Sequence, residues 1–170
     1  MKPYPIGRRY AAVLARNTIP PDGYRVAASI LRSAVMNGVK QCIGNMVEKN
    51  SKGELCYCAS AVIGLHFDVK PEGKAHFIGS HGENYTPDEF YTLHGWGRDL
   101  HCLLVWLNDI ERASFEEIAH RLFDYTFILK ESDSFFASNA GESARIEYLE
   151  RRYPEITSEI RERRTREICA

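Results

Sequence analysis

The run Leu55-Cys56-Tyr57-Cys58-Ala59-Ser60-Ala61-Val62-Ile63-Gly64-Leu65 decides how this chain is classed. It follows Asn50-Ser51-Lys52-Gly53, a turn by composition. A dense run of small and apolar residues suits a buried helix or a buried strand, and periodicity does not separate the two. Its length and its Ala, Ser and Cys content favour a tightly packed helix. On that reading the fold is mainly α.

Upstream, residues 7–16 (GRRYAAVLAR) form a short helix with Tyr10, Val13 and Leu14 on one side. Residues 1–6 read as an extended lead. Pro20-Pro21 ends that helix, and Asp22 is placed to cap the next one. Val26, Ala27, Ile30, Leu31, Ala34 and Val35 recur at helical period, and Asn37-Gly38 is a stop, so residues 24–36 are read as helix. Residues 39–47 are ambiguous.

Downstream, residues 66–69 and 75–78 read as two short strands of one hairpin, turned by Lys70-Pro71-Glu72-Gly73. Thr86-Pro87-Asp88-Glu89 is a capping box that opens a helix over 87–93. Residues 98–107 suit another helix. Ser114-Phe115-Glu116-Glu117 is a second capping box, opening a helix to about residue 125. Ile146, Leu149, Tyr153, Ile156 and Ile160 then recur at 3, 4, 3, 4 spacing, a seam that Pro154 interrupts.

Composition narrows the function. Twenty-two Lys+Arg against 23 Asp+Glu give a formal net charge of −1, without the basic excess of many nucleic-acid binders. The terminal arginines Arg161, Arg163, Arg164 and Arg166 are interleaved with Glu159, Glu162 and Glu167, so a nucleic-acid partner is disfavoured. No apolar run is long enough to span a bilayer, and residues 1–5 carry no export signal. The expectation is therefore a cytoplasmic protein with no membrane partner, whose five cysteines are free thiols. No nucleotide, zincin or hydrolase motif occurs. No metal pattern emerges from His76, His81, His94 and His101, so neither a metal nor a cofactor is expected.

Two constellations remain. Cys56 and Cys58 sit where a helix begins, and a thiol there can have a lowered pKa. With His76 or His81 as base and Asp109 as orienting acid, they make a Cys-His-Asp order. The competing reading is that small cysteines simply pack in a core beside Ala59, Ser60 and Ala61. Trp106-Leu107-Asn108-Asp109 puts an amide and a carboxylate just after an apolar helix. Such residues usually serve turns, and facing a cleft they would recognise a polar ligand.

Across residues 24–122 the chain resembles a small family of uncharacterised bacterial and phage proteins. The likeness rests on Gly38-x-x-Gln41, Cys58-Ala59-Ser60-Ala61, Trp106-Leu107-Asn108-Asp109 and the helix from Ser114. The family pattern is a helix ending in Gly–Gln, a C-A-[small]-G-A-like helix, W-N-D, and [ST]-x-x-E-[IV]. This chain departs from it at Ser60-Ala61, which replaces a Leu-Gly pair, at Leu107, which is inserted into W-N-D, and in an enlarged middle over 66–99. The resemblance implies a polar cluster of Gln41, Cys58, Asn108 and Asp109, without histidine. It brings no biochemical activity, and by analogy a phage setting implies host takeover or defence evasion.

The expected architecture is a mainly α single domain of five to seven helices with at most one small hairpin. Residues 1–138 would be the globular part. Residues 139–170 would be a mixed-charge helical tail, packing on it or on a second subunit. The expected function is a non-enzymatic binding protein for a partner protein or small polar ligand, using Gln41, Cys58, Trp106, Asn108 and Asp109, and assembling as a homo-oligomer through 146–160. The alternative is a cysteine-dependent hydrolase or transferase using Cys58, His76 and Asp109.

Overall fold

The computed structural model describes residues 7–153. The lead 1–6, the Ile156–Ile160 end of the seam, the terminal arginines and Cys169 lie outside the described residues. The expected five to seven helices with one hairpin are corrected. Among the described residues there are eight α-helices and two three-stranded sheets. The chain divides into two compact units: Ile19–Leu122, and the terminal stretches on either side of it.

Helix α1 (Gly7–Arg16) has the predicted bounds. Helix α2 (Pro21–Met36) starts earlier than predicted. Pro20 stands at its N-cap and Pro21 in its first turn, where a missing N–H is harmless. Asp22, expected as the cap, lies inside that turn, where its charge complements the helix dipole. The α2 face carrying Tyr24, Ala27, Ala28, Leu31 and Ala34 is buried.

The first sheet joins β1 (Lys40–Gln41), β2 (Val47–Lys49) and β3 (Leu55–Tyr57), with β3 central. Strand β1 runs parallel to β3, pairing Gln41 with Tyr57, and β2 runs antiparallel, pairing Glu48 with Cys56. The deciding run therefore breaks in two. Its first three residues are the middle strand. Cys58, in extended conformation, caps α3 (Ala59–His66). The break follows from pairing: β3 is flanked on both edges, and its hydrogen bonds come from segments that no local pattern shows.

The second sheet is an antiparallel ladder of β4 (Lys70–Glu72), β5 (His76–Ile78) and β6 (Asn84–Tyr85). The predicted hairpin is displaced, because α3 continues to His66 and the supposed turn residues 70–72 are themselves strand. Gly64 lets this sheet reach α3. A Cβ there would lie 2.3 Å from Phe77 Cε1.

Helix α4 (Pro87–Leu93) opens with the predicted capping box. Thr86 N–H donates to Glu89 Oε2 at 2.7 Å and Glu89 N–H to Thr86 Oγ1 at 3.2 Å. Helix α5 (Gly97–Val105) runs on into a π-helical turn, Trp106–Ile110. Helix α6 (Phe115–Glu131) starts at the second capping box, where Ser114 and Glu117 exchange bonds of 2.8 and 3.2 Å. It extends past the predicted end at 125.

In the terminal unit, short α7 (Asp133–Phe136) precedes α8 (Glu142–Arg152), which packs on α1. Tyr10 stacks on Tyr125 with centroids 5.6 Å apart. The Arg145 guanidinium donates to Ala15 O and Phe136 O. Tyr153 donates to Glu131 Oε2 at 2.6 Å. Leu149 and Tyr153 of the seam are buried within the single chain. Helix α8 ends at Arg152, as expected just ahead of a proline. Among the described residues no helix is long and apolar enough to cross a membrane.

Candidate functional site

Two distant segments of the central unit, residues 41–42 and Ala59, converge on the amide of Asn108. It stands in the π turn, where Glu111 N–H reaches back to Trp106 O and Ala113 N–H to Leu107 O. Such a turn carries one residue more than an α-turn, and here it buries both Leu107 and Asn108. Asn108 Oδ1 accepts from Gln41 Nε2 at 2.8 Å and from Ala59 N–H at 3.1 Å. Its Nδ2 donates to Cys42 O at 2.9 Å and to Asp109 Oδ1 at 2.6 Å. Every valence of the side chain is used inside the fold, and the residue is 1% exposed.

Gln41 is occupied in the same way. Its Nε2 also donates to Ala113 O at 2.8 Å, and its Oε1 accepts from Phe115 N–H at 3.0 Å. One side chain on β1 thus satisfies a free N–H in the first turn of α6. Together the two amides tie β1, the start of α3, the π turn and the start of α6.

Asp109 is different. Its Oδ1 accepts from Gly44 N–H at 3.0 Å as well as from Asn108. Gly44 has φ +82, a conformation that costs a non-glycine residue strain. Among the described residues Oδ2 of Asp109 takes no hydrogen bond, and the side chain is half-buried. Beside it in the chain stands Ile110, 59% exposed, and beside Gly44 stands Ile43, 42% exposed. The result is a carboxylate anchored through one oxygen, with exposed aliphatic residues next in the chain to it and to its Gly44 anchor.

Two thiols, Cys42 and Cys58, lie near this carboxylate. Cys42, Cys56 and Cys58 are buried and unpaired, and Cys102 is unpaired and exposed. Cys42 N–H donates to Tyr57 O, continuing the β1–β3 ladder and bringing Cys42 beside Cys58. Cys58 Sγ accepts from Ala61 N–H at 3.4 Å, and the Cys42 thiol donates to Asn45 O at 3.2 Å. Burial pushes the Cys42 thiol up to about 12, with Cys58 and Glu48 adding to the rise. Burial likewise pushes Cys58 up to about 11, against the lowering by its bond from Ala61 N–H, with Asp109 adding to the rise.

Of the residues singled out from sequence, Gln41, Cys58, Asn108 and Asp109 come together here. Trp106 does not join their hydrogen bonds; its Nε1 donates to Glu111 Oε1 at 3.2 Å, and Glu111 also holds Arg121. His76 is exposed on β5, and His81 is exposed in the turn ahead of β6, where its backbone N–H meets Glu83. Neither interacts with Cys58, whose electrostatic neighbours are Ala61, Asp109 and Ser60. Histidine pairing occurs elsewhere: His101 Nδ1 lies 3.1 Å from Asp88 Oδ1. Among the described residues no group of three His, Cys, Asp or Glu side chains is arranged to hold a metal ion.

Sequence reasoning missed Ile43, Gly44, Ala59 and Ala113 as members of the site. Three of these act through backbone atoms, which leave no side-chain signal. No family model, curated protein or solved structure matches the chain.

Proposed function

We propose that the chain is a non-enzymatic binding protein whose recognition point is Asp109. The observation that carries this reading is the carboxylate itself, with Oδ1 fixed by two donors and exposed Ile43 and Ile110 next in the chain to Gly44 and to Asp109. An anchored carboxylate with such aliphatic chain neighbours suits a guanidinium or ammonium group with an apolar neighbour. The partner is thus a protein segment with an Arg or Lys next to an aliphatic residue. A small cationic ligand of the same chemistry would engage the same oxygen. Gln41, Cys58, Asn108 and Asp109 are the residues through which the chain resembles the bacterial and phage family pattern. Leu107, the residue inserted relative to that pattern, lies in the π turn.

The thiol chemistry points away from a cysteine-dependent enzyme. A thiol held at about 11 stays protonated at neutral pH, and the thiolate is the nucleophile. Two measurements test the reading. On an array of short peptides, those pairing Arg or Lys with an aliphatic neighbour bind the native protein, and Asp109→Asn loses them while keeping both hydrogen bonds to Oδ1. Identical array patterns for the two proteins would overturn the reading. In alkylation at neutral pH, Cys102 reacts first among the described cysteines and Cys58 only on unfolding. Rapid selective labelling of Cys58 would instead favour the nucleophile.

A further inference from the structure

A second surface of the central unit carries chemistry of the opposite sign. Arg25, Ser29 and Ser33 stand on α2 at i, i+4 and i+8, so their side chains form a ladder along one face with steps of about 6 Å. Val26 and Ile30 form the adjacent aliphatic strip. His66, the last residue of α3, closes the other side, because α3 packs on α2. These six residues line a groove of about 280 Å³.

No carboxylate lines the groove. Among the described residues Arg25 forms no ion pair and Ser29 forms no side-chain hydrogen bond. Ser33 Oγ accepts only a long contact from Asn37 Nδ2 at 3.4 Å, which leaves its own proton to donate. The His66 ring lies edge-on to Phe67 with centroids 5.0 Å apart, a contact that leaves both ring nitrogens uncommitted. A guanidinium and two hydroxyls on one edge, an imidazole on the opposite side and hydrocarbon between them are the donors and surface that a phosphate monoester uses.

We infer that this groove binds the phosphate group of a small phosphomonoester. Arg25 and the two hydroxyls grip the oxygens, and Val26 and Ile30 cover the carbon skeleton.

The test is an NMR titration of the full chain with inorganic phosphate and, separately, with propyl phosphate, each against chloride at matched ionic strength. The expected result is saturable shifts confined to residues 25–33 and 66. Tighter binding of propyl phosphate assigns an ester as the ligand, and equal binding assigns free phosphate. Arg25→Gln weakens binding by about tenfold or more, the scale of one charge-assisted hydrogen bond. Ser29→Glu, which adds a carboxylate to the edge, abolishes it. Both positions are exposed, and an unchanged thermal midpoint for each variant verifies the fold. Shifts that stay linear in concentration, or that persist undiminished in Arg25→Gln, overturn the inference.

Discussion

Asn108 shows how one side chain can hold a site that it does not itself offer to a ligand. Its amide is saturated by Gln41, Ala59, Cys42 and Asp109. Asn108→Ala would strand at least two buried backbone groups, Ala59 N–H and Cys42 O, and free Asp109 from one of its anchors. The expected loss is about 3–5 kcal/mol in urea denaturation, from unsatisfied polar groups together with the cavity. A loss below about 1 kcal/mol would mean that the network contributes little. Asn108 and Asp109 were legible in sequence as a polar pair after a helix, whereas Gln41 was singled out only through the family resemblance. Their partners were not legible. The bonds span separations of 49, 67, 72 and 74 residues, and most of the atoms contacted are backbone.

Elements were legible where their signals are local. Both predicted capping boxes form, because each needs only four consecutive residues to meet. Of the strands only β5 was legible, within the predicted 75–78; none exceeds three residues, too short for alternation to register. Their packing makes its own prediction. Gly64→Ala drives a methyl group into the Phe77 ring, which a Cβ would approach at 2.3 Å. It should destabilise the protein by about 1–3 kcal/mol, as overpacking does. Adding Phe77→Leu should recover part of that loss, a coupling visible in a double-mutant cycle. Strictly additive losses would show that α3 and β5 do not meet at this point.

For the whole molecule, buried thiols make stability depend on alkaline pH. Cys58 is raised from 9.0 to about 11 on folding, with desolvation as the main cause. Its contribution is complete below pH 9. Between pH 9 and pH 11 the unfolded Cys58 ionises while the folded one stays protonated, so this thiol lowers stability with rising pH by about 1.4 kcal/mol per unit, and Cys42, raised to about 12, adds a fall of the same sign. Buried Tyr91, also raised, acts in the same direction at higher pH. Cys58→Ala should flatten the profile between pH 9 and pH 11 relative to the native protein. Parallel profiles would show that Cys58 ionises equally readily in both states.

The amino-acid sequence by itself determined the capped helices, the apolar face of α2, the helix end before Pro154 and the polar Asn108-Asp109 pair after α5. Those depend on contacts within a turn or two of helix, and short-range contacts leave a readable pattern. Only the tertiary structure decided that residues 55–57 become a central strand, that Cys58 caps rather than continues a helix, and that Asp109 is anchored through one oxygen. Each of these depends on groups brought together from distant segments. Their free energy appears only once the intervening loops have closed, and no window along the chain contains it.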